Sequence, residues 1–186
     1  MDKRKVMIET LPPLFLCALG GALTGFILGN MRELLEMLPG LIALIPAVIG
    51  MRGNISSSMG SRLGSAFHLG LISDSFTSSL VVENLKSSLS LSLYVSLIIP
   101  FFYYISATLL NNTISGKVLF SLLLITVATG LTAGLLLSFL TFFIILLSIR
   151  WGLDPDNVTG PLLTTIGDLL TLLILSTYTV IIGVVV

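Results

Sequence analysis

Five stretches of this 186-residue chain are apolar for long enough to cross a lipid bilayer. A hydrocarbon core about 30 Å thick needs roughly 20 helical residues, each rising about 1.5 Å. The stretches lie at about residues 11–29, 38–75, 88–110, 117–148 and 158–186. Lipid offers a backbone no water to bond, so each stretch must satisfy its own N–H and C=O groups or close into a barrel. Strand alternation at roughly ten-residue spacing is absent, which argues against a barrel. The expected fold is all-α: a polytopic membrane protein of five spans, forming one transmembrane domain over residues 1–186. No polar stretch is long enough for a soluble domain. Charged residues make up 10% of the chain, against about 25% in soluble proteins.

The first run, residues 11–29, is longer than the apolar segment of a secretory leader and is read as a span. A lone cysteine, Cys17, allows no internal disulfide and no multi-cysteine metal site, and is read as a small packed residue. The net charge of zero gives no sign of a nucleic-acid partner. The distribution of basic residues says more. With the N-terminus inside, Lys3, Arg4, Lys5, Arg52, Arg62, Lys86 and Arg150 lie in or toward the cytoplasmic half, and only Arg32 and Lys117 lie outside. This predicts a multi-pass protein of the cell membrane with a cytoplasmic N-terminus and an external C-terminus. Gly21, Gly25 and Gly29 recur every four residues in the first span, and Gly130 and Gly134 do so in the fourth. Both sets are read as helix-packing faces, and tilt, a kink near Gly130 or projection beyond the membrane would each accommodate the long fourth run.

The second span reads "PGLIALIPAVIGMRGNISSSMGSRLGSAFHLG". Pro46, Gly50 and Gly53 stand close together, and their chemistry predicts an interruption near residues 50–54. Interrupted backbone at membrane depth is tolerated where it faces protein or a water-filled cavity, and it often marks transport sites. Asn54, Ser57, Ser58, Ser61, Arg62 and Ser65 then share one helical face. Asn54 has two available roles: presenting an amide oxygen to a hydrated cation, or capping the helix that follows the break. His68, with no second histidine, is given no role.

Asp168 lies ten residues into the last apolar run, about 15 Å deep at helical rise. It could be neutralised by a base, but the fifth span contains none. It could carry a proton. Or it could face water and bind a cation, as intramembrane carboxylates commonly do. Gly160, Thr164 and Asp168 follow at spacings of four, with Thr171 three further on, so oxygen donors line one side. Oxygen-only surroundings suit Mg²⁺, Ca²⁺ or Mn²⁺. Two chains around a two-fold axis would supply two carboxylates, enough to hold a partly hydrated Mg²⁺. Upstream, Asp154, Asp156 and Asn157 are suited to capping the last helix and to concentrating cations at its mouth.

The segments "IPAVIGMRGNISSSMGSRL" and "DPDNVTGPLLTTIGDLLTL" together resemble the membrane domain of MgtE-type magnesium transporters. They are more similar still to the related animal solute-carrier magnesium transporters. The resemblance covers nearly the whole chain. It implies a five-helix domain that pairs with a second copy around a central cation pathway. On this view Asp168 matches the family's central aspartate, which holds hydrated Mg²⁺. Gly53 and Asn54 match its Gly-Asn, and Asp154–Asn157 its Asp-Pro-Asp-Asn. Ten residues precede the first run here, so regulation by the large cytoplasmic region of bacterial MgtE proteins is not expected. The expected function is transport of a divalent cation, Mg²⁺ or else Mn²⁺, Ca²⁺ or Co²⁺, by a homodimer in the lipid bilayer. No permanently bound cofactor and no enzymatic activity are expected. A sodium- or proton-coupled exchanger is the alternative to a channel, and a membrane scaffold or an intramembrane enzyme are remoter ones.

Overall fold

The computed structural model describes residues 3–72 and 78–183, without the side chains of residues 3–6, 9, 156 and 157. Within them the chain is helical: α1 (Lys3–Asn30), α2 (Arg32–Met37), α3 (Leu41–His68), α4 (Ser79–Leu109), α5 (Gly116–Arg150) and α6 (Pro155–Gly183). Five of these helices, all except the six-residue α2, are long and apolar enough to cross a membrane. The last few residues assigned to the second and fifth spans, 73–75 and 184–186, lie outside the described residues.

The helix ends follow from local chemistry. Gly70 and Gly152 adopt φ of +68°, and Asn111 +59°. At each, the chain turns back so that two amides reach carbonyls of the last helical turn. After α3, for example, Gly70 N–H bonds Phe67 O at 2.9 Å and Leu71 N–H bonds Ala66 O at 2.9 Å. Glycine and asparagine adopt this left-handed conformation at low cost.

The second span is not interrupted. α3 runs as one helix from Leu41 to His68, through Pro46, Gly50 and Gly53. Pro46 sits in the second turn, so it removes a single helical hydrogen bond there. Glycine permits a break but does not impose one. α3 packs against α4, α5 and α6, and in an apolar bundle the intact helix is what keeps its backbone bonded. Asn54 therefore lies mid-helix and caps nothing. α5 is likewise one uninterrupted helix through Gly130.

Residue pairings give the layer order. α4 and α6 lie on opposite sides of the α3–α5 pair, and α1 lies beyond α6, touching only α6 and α2 among the described residues. Leu41, Leu44, Ile45 and Val48 of α3 meet Leu122 and Ile125 of α5 and Leu172 and Leu175 of α6 in one buried cluster. Met59 and Leu63 of α3 meet Val81 of α4 and Phe142 and Ile145 of α5 in a second. Successive spans run in alternating directions. Gly53 neighbours Thr164 while Gly60 neighbours Leu163 and Thr159, for instance, so α3 and α6 are antiparallel.

The glycine faces divide. In α5, a side chain on Gly130 would overlap Ser96 and one on Gly134 would overlap Arg52, so both are close-packed. In α1, by contrast, Gly21, Gly25 and Gly29 face open space, and Gly20 makes the close approach, to Thr165 of α6. The expected packing face of the first span is therefore unoccupied within one chain. Cys17 is packed as expected, its thiol donating to Pro161 O at 3.0 Å.

Candidate cation site

The centre of α6 and the centre of α3 meet at an antiparallel seam. A Cβ on Gly53 would stand 3.6 Å from the Thr164 methyl, and one on Gly160 would stand 3.8 Å from the Ser57 hydroxyl. Small residues at 53 and 160 thus let the two backbones approach. Asn54 is exposed beside the seam, as is Thr164, whose hydroxyl donates to Gly160 O at 2.9 Å. That bond leaves the oxygen's lone pairs available to a cation. Asp168, one turn further along α6, is half-buried. It is the fourteenth of the 29 residues of α6, so it lies at the middle of its span. None of the described residues forms an ion pair or hydrogen bond with its carboxylate.

The polar face of α3 is present as the spacing indicates. Asn54, Ser58, Ser61, Arg62 and Ser65 are exposed and Ser57 is half-buried. Thr171, expected on the Asp168 side, is instead fully buried with its hydroxyl unpartnered. Asp154 lies apart from Asp168. It immediately precedes α6, roughly 20 Å away at helical rise, and is exposed beside His68 in an open depression of about 340 Å³. The backbones of Asp156 and Asn157 form the first turn of α6, and their side chains lie outside the described residues. Among the described residues no cluster of three or more His, Cys, Asp or Glu could cage a metal. Gly53 and Thr164 thus meet across the seam, with Asn54 next to Gly53 and Asp168 one turn beyond Thr164, and the Asp-Pro-Asp-Asn group is held at the bundle end.

Sequence reading gave Arg52 only a place in the charge count. Its side chain is 1% exposed, at the twelfth of 28 positions in α3. It enters a socket formed by α4 and α5. Nη1 donates to Gly130 O at 2.9 Å, the absent Cβ of Gly134 leaves room for the guanidinium, and Nε has no partner. Ser88, Ser92 and Ser96 of α4 are buried along the same region at spacings of four. That serine spacing was legible in "SSLSLSLYVS" as a small-residue face and went unread.

A model of the MgtE family, described as a divalent cation transporter, matches residues 45–178. Human solute carrier family 41 member 2 is 29% identical over 176 residues, covering 91% of this chain and 30% of that protein. Solute carrier family 41 member 3 of Rattus norvegicus is 25% identical over 172 residues, covering 88% and 36%. The magnesium transporter MgtE of Bacillus subtilis (strain 168) is 27% identical over 165 residues, covering 88% and 34%. The chain spans about a third of the length of these relatives. The matched family segment begins just before Pro46 and ends ten residues after Asp168, so it takes in Gly53, Asn54, Thr164 and Asp168. With those residues inside a family match over most of its length, this multi-pass α-helical chain belongs to the MgtE family of divalent cation transporters.

Proposed function

We propose that this chain carries divalent cations, Mg²⁺ foremost, across the cell membrane along a polar path at the α3–α6 seam. A second copy completes the path, so that one Asp168 from each chain faces a common axis. The observation that carries this reading is the run of polar groups along the seam: Asn54 and Thr164 exposed, Asp168 half-buried one turn further along α6, and Ser58, Ser61 and Ser65 exposed along α3. Such a surface is costly against lipid tails and is at home against water or a like polar surface. The name of the Bacillus subtilis relative, a magnesium transporter, supports Mg²⁺ as the substrate.

The chemistry follows from the donors. Mg²⁺ releases its water reluctantly and is commonly held through one or two carboxylates with several waters retained. Two Asp168 carboxylates neutralise its charge, while Asn54 and Thr164 offer oxygens to its hydration shell. Gly53 lets α3 approach α6 closely enough to present Asn54 there. At the end of α6, Asp154, Asp156 and Asn157 raise the local cation concentration. The charge bias supports a cytoplasmic position for that end and for the N-terminus. The test is cation flux into liposomes by the purified chain, comparing Mg²⁺, Mn²⁺, Ca²⁺ and Co²⁺ with and without an imposed sodium or proton gradient. Mg²⁺ flux that Asp168→Asn removes is the expected result, and flux that requires the gradient identifies an exchanger. Equal Mg²⁺ flux in protein-free liposomes overturns the reading.

A further inference from the structure

We propose that Arg52 limits how tightly the pathway holds its cation, acting as a fixed positive charge behind the pathway wall. The inference rests on the transport reading above and extends it to the control of affinity. Three observations carry it. The guanidinium is 1% exposed and held in place by its bond to Gly130 O, in a socket that the bare Cα of Gly134 keeps open. None of the described residues offers Arg52 a carboxylate within ion-pair distance. The next residue, Gly53, lies against Thr164 of α6, about 100° round the helix from Arg52, so the charge and the candidate site flank the same turn of α3.

An arginine keeps its charge when buried. Its field is therefore permanent, and an apolar bundle screens it weakly. A helix with its side chains is about 10–12 Å across, which sets the order of the separation. At an effective dielectric constant near 20, a charge at that distance shifts a binding equilibrium about tenfold for each elementary charge on the ion. A divalent cation is thus opposed more strongly than a monovalent one. The two Asp168 carboxylates attract the ion, and Arg52 offsets part of that attraction. Passage requires this balance, because an ion bound too tightly does not leave. Arg52 is a positioning residue in the electrostatic sense, and it need never touch the cation.

The test is a Mg²⁺ titration of the purified full chain, read by thermal stability, together with liposome flux. Arg52→Gln keeps a donor for Gly130 O without the charge, and Arg52→Lys keeps the charge. Arg52→Gln is expected to tighten the apparent Kd for Mg²⁺ by about a hundredfold, tenfold for each of the ion's two charges, and to slow flux at saturating Mg²⁺. Arg52→Lys is expected to stay within about twofold of the wild type. A second variant leaves Arg52 in place: Ser92, whose hydroxyl borders the same socket, changed to Asp. Ser92→Asp neutralises the charge by pairing with it and is expected to tighten binding as Arg52→Gln does, which a purely structural arginine does not predict. An unchanged Kd in the neutralised variants overturns the inference alone, as does Arg52→Lys behaving like Arg52→Gln. A wild-type protein that no divalent cation stabilises overturns the transport reading, and this inference with it.

Discussion

Asp168 is a charged residue at the middle of a helix that otherwise suits lipid. On an isolated span such a group costs about 2.5–3.5 kcal/mol, and no basic residue of α6 offsets it. On the proposed reading a cation accounts for its position, and that is directly testable. Asp168→Asn keeps the size and hydrogen-bonding capacity but removes the charge. It should abolish or strongly weaken the stabilisation of purified protein by Mg²⁺ while leaving the empty protein folded, or even slightly more stable as carboxylate repulsion disappears. Because protons compete with cations for a carboxylate, wild-type Mg²⁺ affinity should fall as pH falls, and the variant should lack that dependence. Thr164→Val removes one hydroxyl and should have a smaller effect on the same titration. Asn54→Leu should lower Mg²⁺ flux more than it lowers folded yield. Unchanged flux per folded molecule would return Asn54 to a packing role.

At the scale of the helices, two glycine stripes that look alike in sequence have different uses. Those of α5 meet side chains from α3 and α4, and those of α1 meet nothing among the described residues. Gly134→Ala should therefore force the Arg52 guanidinium aside and destabilise the fold by about 1–3 kcal/mol, the usual range for overpacking. Gly25→Ala adds a methyl to open space, so the stability of the isolated chain should change by no more than about 0.5 kcal/mol. Chemical or thermal unfolding of both variants in one detergent checks the contrast. Equal losses would mean that the α1 stripe is packed after all. The buried serines of α4 belong to the same comparison. Ser92 donates to Ser88 O at 2.5 Å and Ser88 to the Met59 sulfur at 3.3 Å. These polar groups are satisfied within or between helices, so they bind the bundle together and leave no donor for a ligand.

At the scale of the whole molecule, the alternating spans carry the start of α1 and the end of α6 to opposite sides of the bundle. Tags at the two ends should therefore differ in access in intact cells, the N-terminal tag being reached only after permeabilisation. The exposed polar face at the α3–α6 seam motivates the pairing of two chains. A cysteine at position 164, in a chain with Cys17 changed to serine, should cross-link to its counterpart in membranes and give a covalent dimer. A strictly monomeric protein that still transports Mg²⁺ would sink the paired pathway.

The number of spans and their helical character were legible in the amino-acid order, and the same order singles out Asp168, Thr164, Asn54 and Gly53 as candidates. Hydrophobic run length and the spacing of polar residues are local quantities, and lipid leaves little room for any backbone but a helix. The continuity of α3 was not legible, because proline and glycine report only what a backbone permits. Contacts with α4, α5 and α6 decide whether the permitted break is made. The burial of Thr171 was missed for a similar reason: a spacing of three or four residues places side chains on one side of a helix but does not say where the neighbouring helix covers it. Arg52 is the plainest case. In sequence it is one more basic residue near a glycine, and only the packing of α5 glycines against α4 serines makes a socket that closes around its charge.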